Sequence, residues 1–283
     1  MKSFHHILFP VDFSDRCLAI RPFVETLAKQ CNARLTLLHV VHIPTTCYRG
    51  SDAGYPVIVD VPSLKEDANG KLNDFFETPG VAFDQVVSIG EPAFEITGFA
   101  ESNAVDLIML PTHGYGKFRS LLLGSVVSKV LHDAHCAVWT AAHAEDPQLY
   151  THLALRNIMC AIDLSPESSL VIRRAVELAA SFGAKLRLAH AEPHPYLRFN
   201  EGFRATLMQN AREAIDKMQD ELGTKLEVCM ESGSAAEVVR KTCLNHEGDL
   251  VIIGRGVISQ TLGRVRSGVY DIIRESPCPV LRV

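Results

Sequence analysis

The residues of this chain best suited to chemistry lie in one stretch, Thr112-His113-Gly114-x9-Gly124-Ser125. The apolar run Leu107 to Leu110 stops at Pro111, and a helical pattern of Val126, Val127, Val130 and Leu131 begins after Ser125, so the stretch joins a buried strand to a helix. Ser125 is the expected N-cap. Glycine and serine at such a start offer free backbone N–H groups, the positive end of a helix dipole and no Cβ to hold a phosphate away. The spacing therefore predicts a phosphate cradle, while Gly114 and Gly124 read alone would serve equally as turn residues.

The neighbouring side chains add little to that chemistry. His113 could touch a phosphate or simply be a polar loop residue, and Lys117 and Arg119 could draw an anion in or remain solvated. Asp12 and Asp163, each at a strand end, could meet Mg2+ carried by a nucleotide, but one carboxylate per site falls short of a dedicated cage. His5, His6, His39, His42, His190 and His194 show no ligand spacing on one helix face, so no metal is assigned. No GxxxxGK[ST] loop, nucleophile elbow or defensible Ser-His-Asp set occurs, and Gly114-Tyr115-Gly116 lacks the third glycine of a dinucleotide fingerprint. Efficient catalysis is not expected, and ATP held by amides without a placed lysine or base would hydrolyse slowly at most.

The elements that must position these residues are set by a duplication. Ile7-Leu8-Phe9-Pro10-Val11-Asp12-Phe13-Ser14 returns as Ile158-Met159-Cys160-Ala161-Ile162-Asp163-Leu164-Ser165, and Leu37-Leu38-His39 returns as Leu188-Ala189-His190 with the same separation. Asp106-Leu107-Ile108-Met109-Leu110 matches Asp249-Leu250-Val251-Ile252-Ile253, and Cys136-Ala137-Val138-Trp139 matches Cys278-Pro279-Val280-Leu281. Order and register agree, so the chain is a tandem repeat. A length of 283 residues fits this, since a single core usually stops near roughly 100–150.

Within each copy, strands apolar on both faces alternate with helices, which specifies a parallel sheet covered on both sides. Predicted helices start at Ser14, Ser63, Ser165-Pro166-Glu167 and near Asn200, and Asn32 and Gly223 end two of them. The segment from Ile43 to Pro62 reads as an irregular excursion that, with the amphipathic Asn200 to Leu222 helix, could frame a groove for an apolar ligand. Ligands of such sheets bind beyond the carboxyl ends of the strands, where Pro10-Val11-Asp12, Val41 and the glycine loop converge. The short fifth strand, Ala137 to Thr140, is expected at a sheet edge, with its copy Val280 to Val283 as the partner that ties the halves about a pseudo-two-fold.

Composition narrows the function further. At 47% hydrophobic and 22% charged with a net charge of −5, the chain is globular and presents no basic surface for nucleic acid. Its eight cysteines form no CxxC pair, and Cys136 and Cys278 read as packed thiols, which points to a reducing cytoplasm. No apolar run approaches the roughly 20 residues of a membrane span.

The strand start Ile7 to Ser14, the Leu37-Leu38-His39-Val40 strand, the Asp106-Leu107-Ile108 approach and the Thr112-His113-Gly114-x9-Gly124-Ser125 loop resemble the universal stress protein family, over essentially the whole chain. The resemblance is to tandem members. It implies two Rossmann-like, adenine nucleotide alpha hydrolase-like five-stranded parallel sheets packed as a pseudo-two-fold intramolecular dimer, with domains at 1–143 and 155–283 joined by a linker at 144–154. The family's nucleotide-binding branch carries G-x2-G-x9-G-[ST]. Residue by residue this implies Pro10, Val11, Asp12 and Val41 around adenine and ribose, and His113, Gly114, Gly124, Ser125 and Val126 at the phosphates. The implied ligand is ATP or AMP, in a stress-response protein that is non-catalytic or a very slow ATPase, with further homodimerisation expected. The alternative is a nucleotide-free signalling or interaction module of the same fold.

Departures from the motif bear on that choice. Its first glycine is Pro111 here, which has no N–H. The weaker equivalents in the second copy are Ala161, Ile162, Asp163, Gly254, Gly256, Arg266 and Ser267. Arg266 stands where backbone would approach phosphate, so it either blocks the pocket or lends its guanidinium to an anion, and the lost glycine spacing favours blocking.

Overall fold

The computed structural model describes residues 4–43, 60–75, 82–112, 123–141, 155–192, 201–256 and 267–283. The first half runs β1 (His6–Pro10), α1 (Asp15–Cys31), β2 (Arg34–Val41), α2 (Val61–Phe75), β3 (Phe83–Ile89), α3 (Pro92–Ser102), β4 (Leu107–Pro111), α4 (Ser125–Asp133) and β5 (Ala137–Ala141). The second repeats it as β6 (Asn157–Ile162), α5 (Ser168–Phe182), β7 (Lys185–Glu192), α6 (Glu201–Leu222), β8 (Glu227–Ser232), α7 (Ala235–Asn245), β9 (Leu250–Ile253), α8 (Ser267–Glu275) and β10 (Val280–Arg282).

Most helix limits follow local chemistry. Ser14 caps α1 by accepting from the Cys17 amide, and Asn32 closes the helix at φ 46, a left-handed conformation that asparagine tolerates. Two starts differ from the sequence reading. Helix α2 begins at Val61 because Asp60, not Ser63, is the acceptor, taking the Ser63 amide at 3.2 Å. Helix α5 begins at Ser168 rather than near Ser165, because Ser165 and Glu167 form a turn whose carbonyls take the Ser168 and Leu170 amides.

The two expected sheets are one. The strand order β3-β2-β1-β4-β5-β10-β9-β6-β7-β8 is palindromic, every neighbouring pair is parallel except one, and the exception joins the halves. There β5 meets β10 antiparallel, with Trp139 opposite Leu281. The fifth strands are therefore central, because each copy's open edge is satisfied by the other. Around this seam the second half donates into the first: Arg282 Nη2 to the carbonyls of Ala134 and Cys136, both at 3.1 Å, and Tyr270 Oη to Ser128 at 3.0 Å.

Alternation along each strand sends side chains into two layers. Ile7, Phe9, Leu35 and Leu37 belong to the layer that holds α1 and α2, with α5 in its second half; Leu8, Leu38, Ile108 and Leu110 belong to the opposite layer, which holds α3 and α4, with α7 in its second half. Each fully buried leucine or isoleucine contributes about 1.5–3 kcal/mol, which is why these strands are apolar throughout. Among the described residues no helix is long and apolar enough to cross a membrane.

Candidate functional site

Parallel strands in each half bring their carboxyl ends to one edge, and there the β1–β4 ladder ends early. Their ladder holds only Ile7 opposite Leu107 and Leu8 opposite Ile108, whereas the equivalent β6 and β9 stay paired from Ile158–Leu250 to Ala161–Ile253. Proline accounts for the difference. Alternation puts His6, Leu8 and Pro10 toward β4, where the Asp106 amide donates to the His6 carbonyl. The Thr112 amide donates to Ala141 on β5, so Pro111 is turned the other way, toward β1. The next two rungs would need N–H groups from Pro10 and Pro111, which have none, so the hydrogen-bonded ladder stops after Leu8 and Ile108. Ala161 and Gly254 keep those donors in the second half.

The end of β1 is held by a histidine that the sequence reading treated only as a candidate ligand. Val11 donates its amide to Leu38, and its carbonyl oxygen accepts from His39 Nδ1 at 2.7 Å. The second half repeats this, with His190 Nδ1 at 3.0 Å from the Ile162 carbonyl. A repeated histidine one strand away from a repeated strand end was the available signal.

The following turn is strained in both copies. Phe13 and Leu164 have φ 60, a left-handed conformation that costs a bulky residue of order 1–3 kcal/mol. Packing holds Phe13 there, its ring centroid 4.5 Å from that of His39 and 5.9 Å from that of Phe75. The aspartates brace the same turn: Asp12 Oδ1 accepts from the Ser14 amide and the Cys17 thiol, both at 3.0 Å, and Asp163 Oδ1 from the Ser165 amide at 3.0 Å and Ser168 Oγ at 3.1 Å. Burial opposes ionisation of Asp163, but these hydrogen bonds outweigh it and hold the carboxyl below its usual range. Both aspartates thus act first as turn ligands. Burial, with the charge of Asp12 behind it, pushes the Cys17 thiol far up, so it is a donor and not a nucleophile.

The residue at the N-cap of α4 is Gly124, not Ser125, which is the first helical residue. Gly124 makes no side-chain cap, and its amide donates to the Thr112 carbonyl at 3.0 Å, tying the two ends of the loop. The amides of Ser125, Val126 and Val127 precede the first intrahelical donor, Ser128, and carry the positive end of the helix. Val41, at the end of β2, accepts from the Gly90 amide at 3.2 Å, so its carbonyl is committed to β3. Pro10, Val11, Asp12, Val41, Gly124, Ser125 and Val126 therefore share one edge of the sheet. His113, Gly114, Lys117 and Arg119 lie outside the described residues, as does most of the 43–62 excursion.

In the second half Ala161, Ile162 and Asp163 repeat the strand end, but the glycines have packing reasons. A Cβ on Gly254 would meet Val171 Cγ2 at 2.9 Å, and Gly256 turns at φ 69. Ser267 opens α8, and Arg266 lies outside the described residues.

The profile of the Universal stress protein family matches residues 3–141 and again 154–283. This chain belongs to the universal stress protein family. Universal stress protein MJ0531 of Methanocaldococcus jannaschii is 32% identical over 135 residues, 47% of this chain and 78% of that protein. Universal stress protein A homolog 2 of Coxiella burnetii is 36% identical over 124 residues, 42% of this chain and 82% of its own length. These relatives each match about one half. A crystal structure of a universal stress protein from Archaeoglobus fulgidus aligns over 99% of this chain and 96% of its own with a TM-score of 0.69 at 20% identity, which shows the shared tandem fold.

Proposed function

We propose that this universal stress protein binds one adenine nucleotide, ATP or AMP, in its first half and turns it over slowly or not at all. The observation that carries the reading is the bare start of α4. Gly124 leaves the first helical amides without a side-chain cap, at the carboxyl edge where the β1–β4 ladder ends. The strand ends at Pro10, Val11, Asp12 and Val41 would take adenine and ribose, in line with the family's nucleotide-binding branch. Arg266 stands before Ser267 in the second half where Gly124 stands before Ser125 in the first, which supports a site in the first half alone. Mg2+ would arrive with the nucleotide, since Asp12 is already committed to its turn.

Calorimetric titration with ATP and with AMP tests this, with about one site per chain expected. Gly124→Arg should abolish binding while the protein folds, because Gly124 sits at φ −59, open to any residue. At about 100 times its Kd the nucleotide should add roughly 2.7 kcal/mol of stability. No heat and no stabilisation would leave the nucleotide-free interaction module as the function.

A further inference from the structure

The second half carries a cluster that the first half lacks, far from the strand ends described above. Glu227 and Cys229 lie two apart on β8, an outermost strand of the sheet, so their side chains share a face. His246 is the C-cap of α7. One donor atom from each falls within 4.8 Å of the others, and Cys229 Sγ is 3.6 Å from His246 Nε2. A tetrahedral ion with bonds of about 2.3 Å to sulfur and about 2.0 Å to nitrogen sets those two donors about 3.5 Å apart.

We propose that Glu227, Cys229 and His246 form a site for a thiolate-preferring divalent metal of the zinc class, three protein ligands with one position left to water. A thiol–imidazole hydrogen bond would give the same spacing, but the fold has no need of either residue. By register and by cap, the first half holds Asp84, Val86 and Asn103 at these places and builds the same strand and the same helix end. What both halves keep is the carboxylate paired with a cation, Asp84 with Arg34 and Glu227 with Lys185 and Arg187. In the second half these cations fix the Glu227 carboxylate at 3.0 and 2.9 Å, as outer-shell groups orient a ligand. The soft thiolate, with the imidazole beside it, sets the choice of metal. Binding replaces the Cys229 S–H bond by S–metal, and the proton goes to solvent.

Titration of the full chain with Co2+ tests the site. The expected result is a thiolate-to-cobalt charge-transfer band in the near ultraviolet with tetrahedral d–d absorption, saturating at one equivalent and bleached by Zn2+. Cys229→Ser should remove the charge-transfer band, and His246→Asn, the residue the first half uses, should weaken Co2+ binding roughly tenfold or more. A wild-type protein without the band, a band that survives Cys229→Ser, or a Co2+ affinity unchanged by His246→Asn overturns the proposal. Should Cys229→Ser fail to fold by circular dichroism, His246→Asn alone decides, since asparagine already caps the equivalent helix.

Discussion

His39 donates from Nδ1 to the carbonyl oxygen of Val11 at 2.7 Å, and His190 makes the same bond to Ile162 at 3.0 Å. The duplicated pair separates a structural role from a ligand role. Removing either bond should cost about 1 kcal/mol of stability by urea denaturation. His39→Ala should also weaken ATP binding several-fold, because the β1 end and the Phe13 turn lose their support, whereas His190→Ala should leave the titration unchanged.

Pro111 ends the β1–β4 ladder where a glycine stands in the nucleotide-binding branch of the family. Pro111→Gly supplies an N–H toward Pro10 and frees the backbone. It should lower stability by about 0.5–1 kcal/mol through the unfolded chain. Affinity for ATP should rise, which calorimetry on the variant reads directly.

Arg282 is buried at the seam with its guanidinium on two carbonyls of the first half. Arg282→Met keeps much of the volume and strands those acceptors. A loss of about 3 kcal/mol is expected in denaturant titration, with both halves affected together.

Asp163 has a folded-state pKa below its unfolded value of about 3.9. Its contribution to stability is complete above that value and is lost as pH falls through the lower, folded one. Asp163→Asn should therefore flatten the stability profile below about pH 4 while leaving its slope near neutrality unchanged, as followed by thermal unfolding across pH.

Burial pushes the Cys160 thiol up to about 12. Alkylation of the native protein at pH 8, read by mass spectrometry, should spare Cys160 and Cys17 and, among the described cysteines, label the half-buried Cys229 first, unless metal protects it.

The sequence by itself determined the duplication, the alternation of strands and helices and the edge of the sheet where a ligand would sit. Apolar strands between helices and the repeated Ile7 to Ser14 and Ile158 to Ser165 segments suffice, because periodicity and repetition are local signals. Glycine spacing likewise marked Gly124, although it could not say that Ser125 would lie inside the helix. Only the tertiary structure decided what depends on pairing between distant residues. It merged two sheets through Trp139 and Leu281, stopped the β1–β4 ladder at Pro10 and Pro111, turned His39 and His190 onto strand-end carbonyls, and set Cys229 beside His246. Each of these is fixed by which way a backbone group or side chain faces once strands align, and that direction is settled by the register of a neighbour far away in the chain.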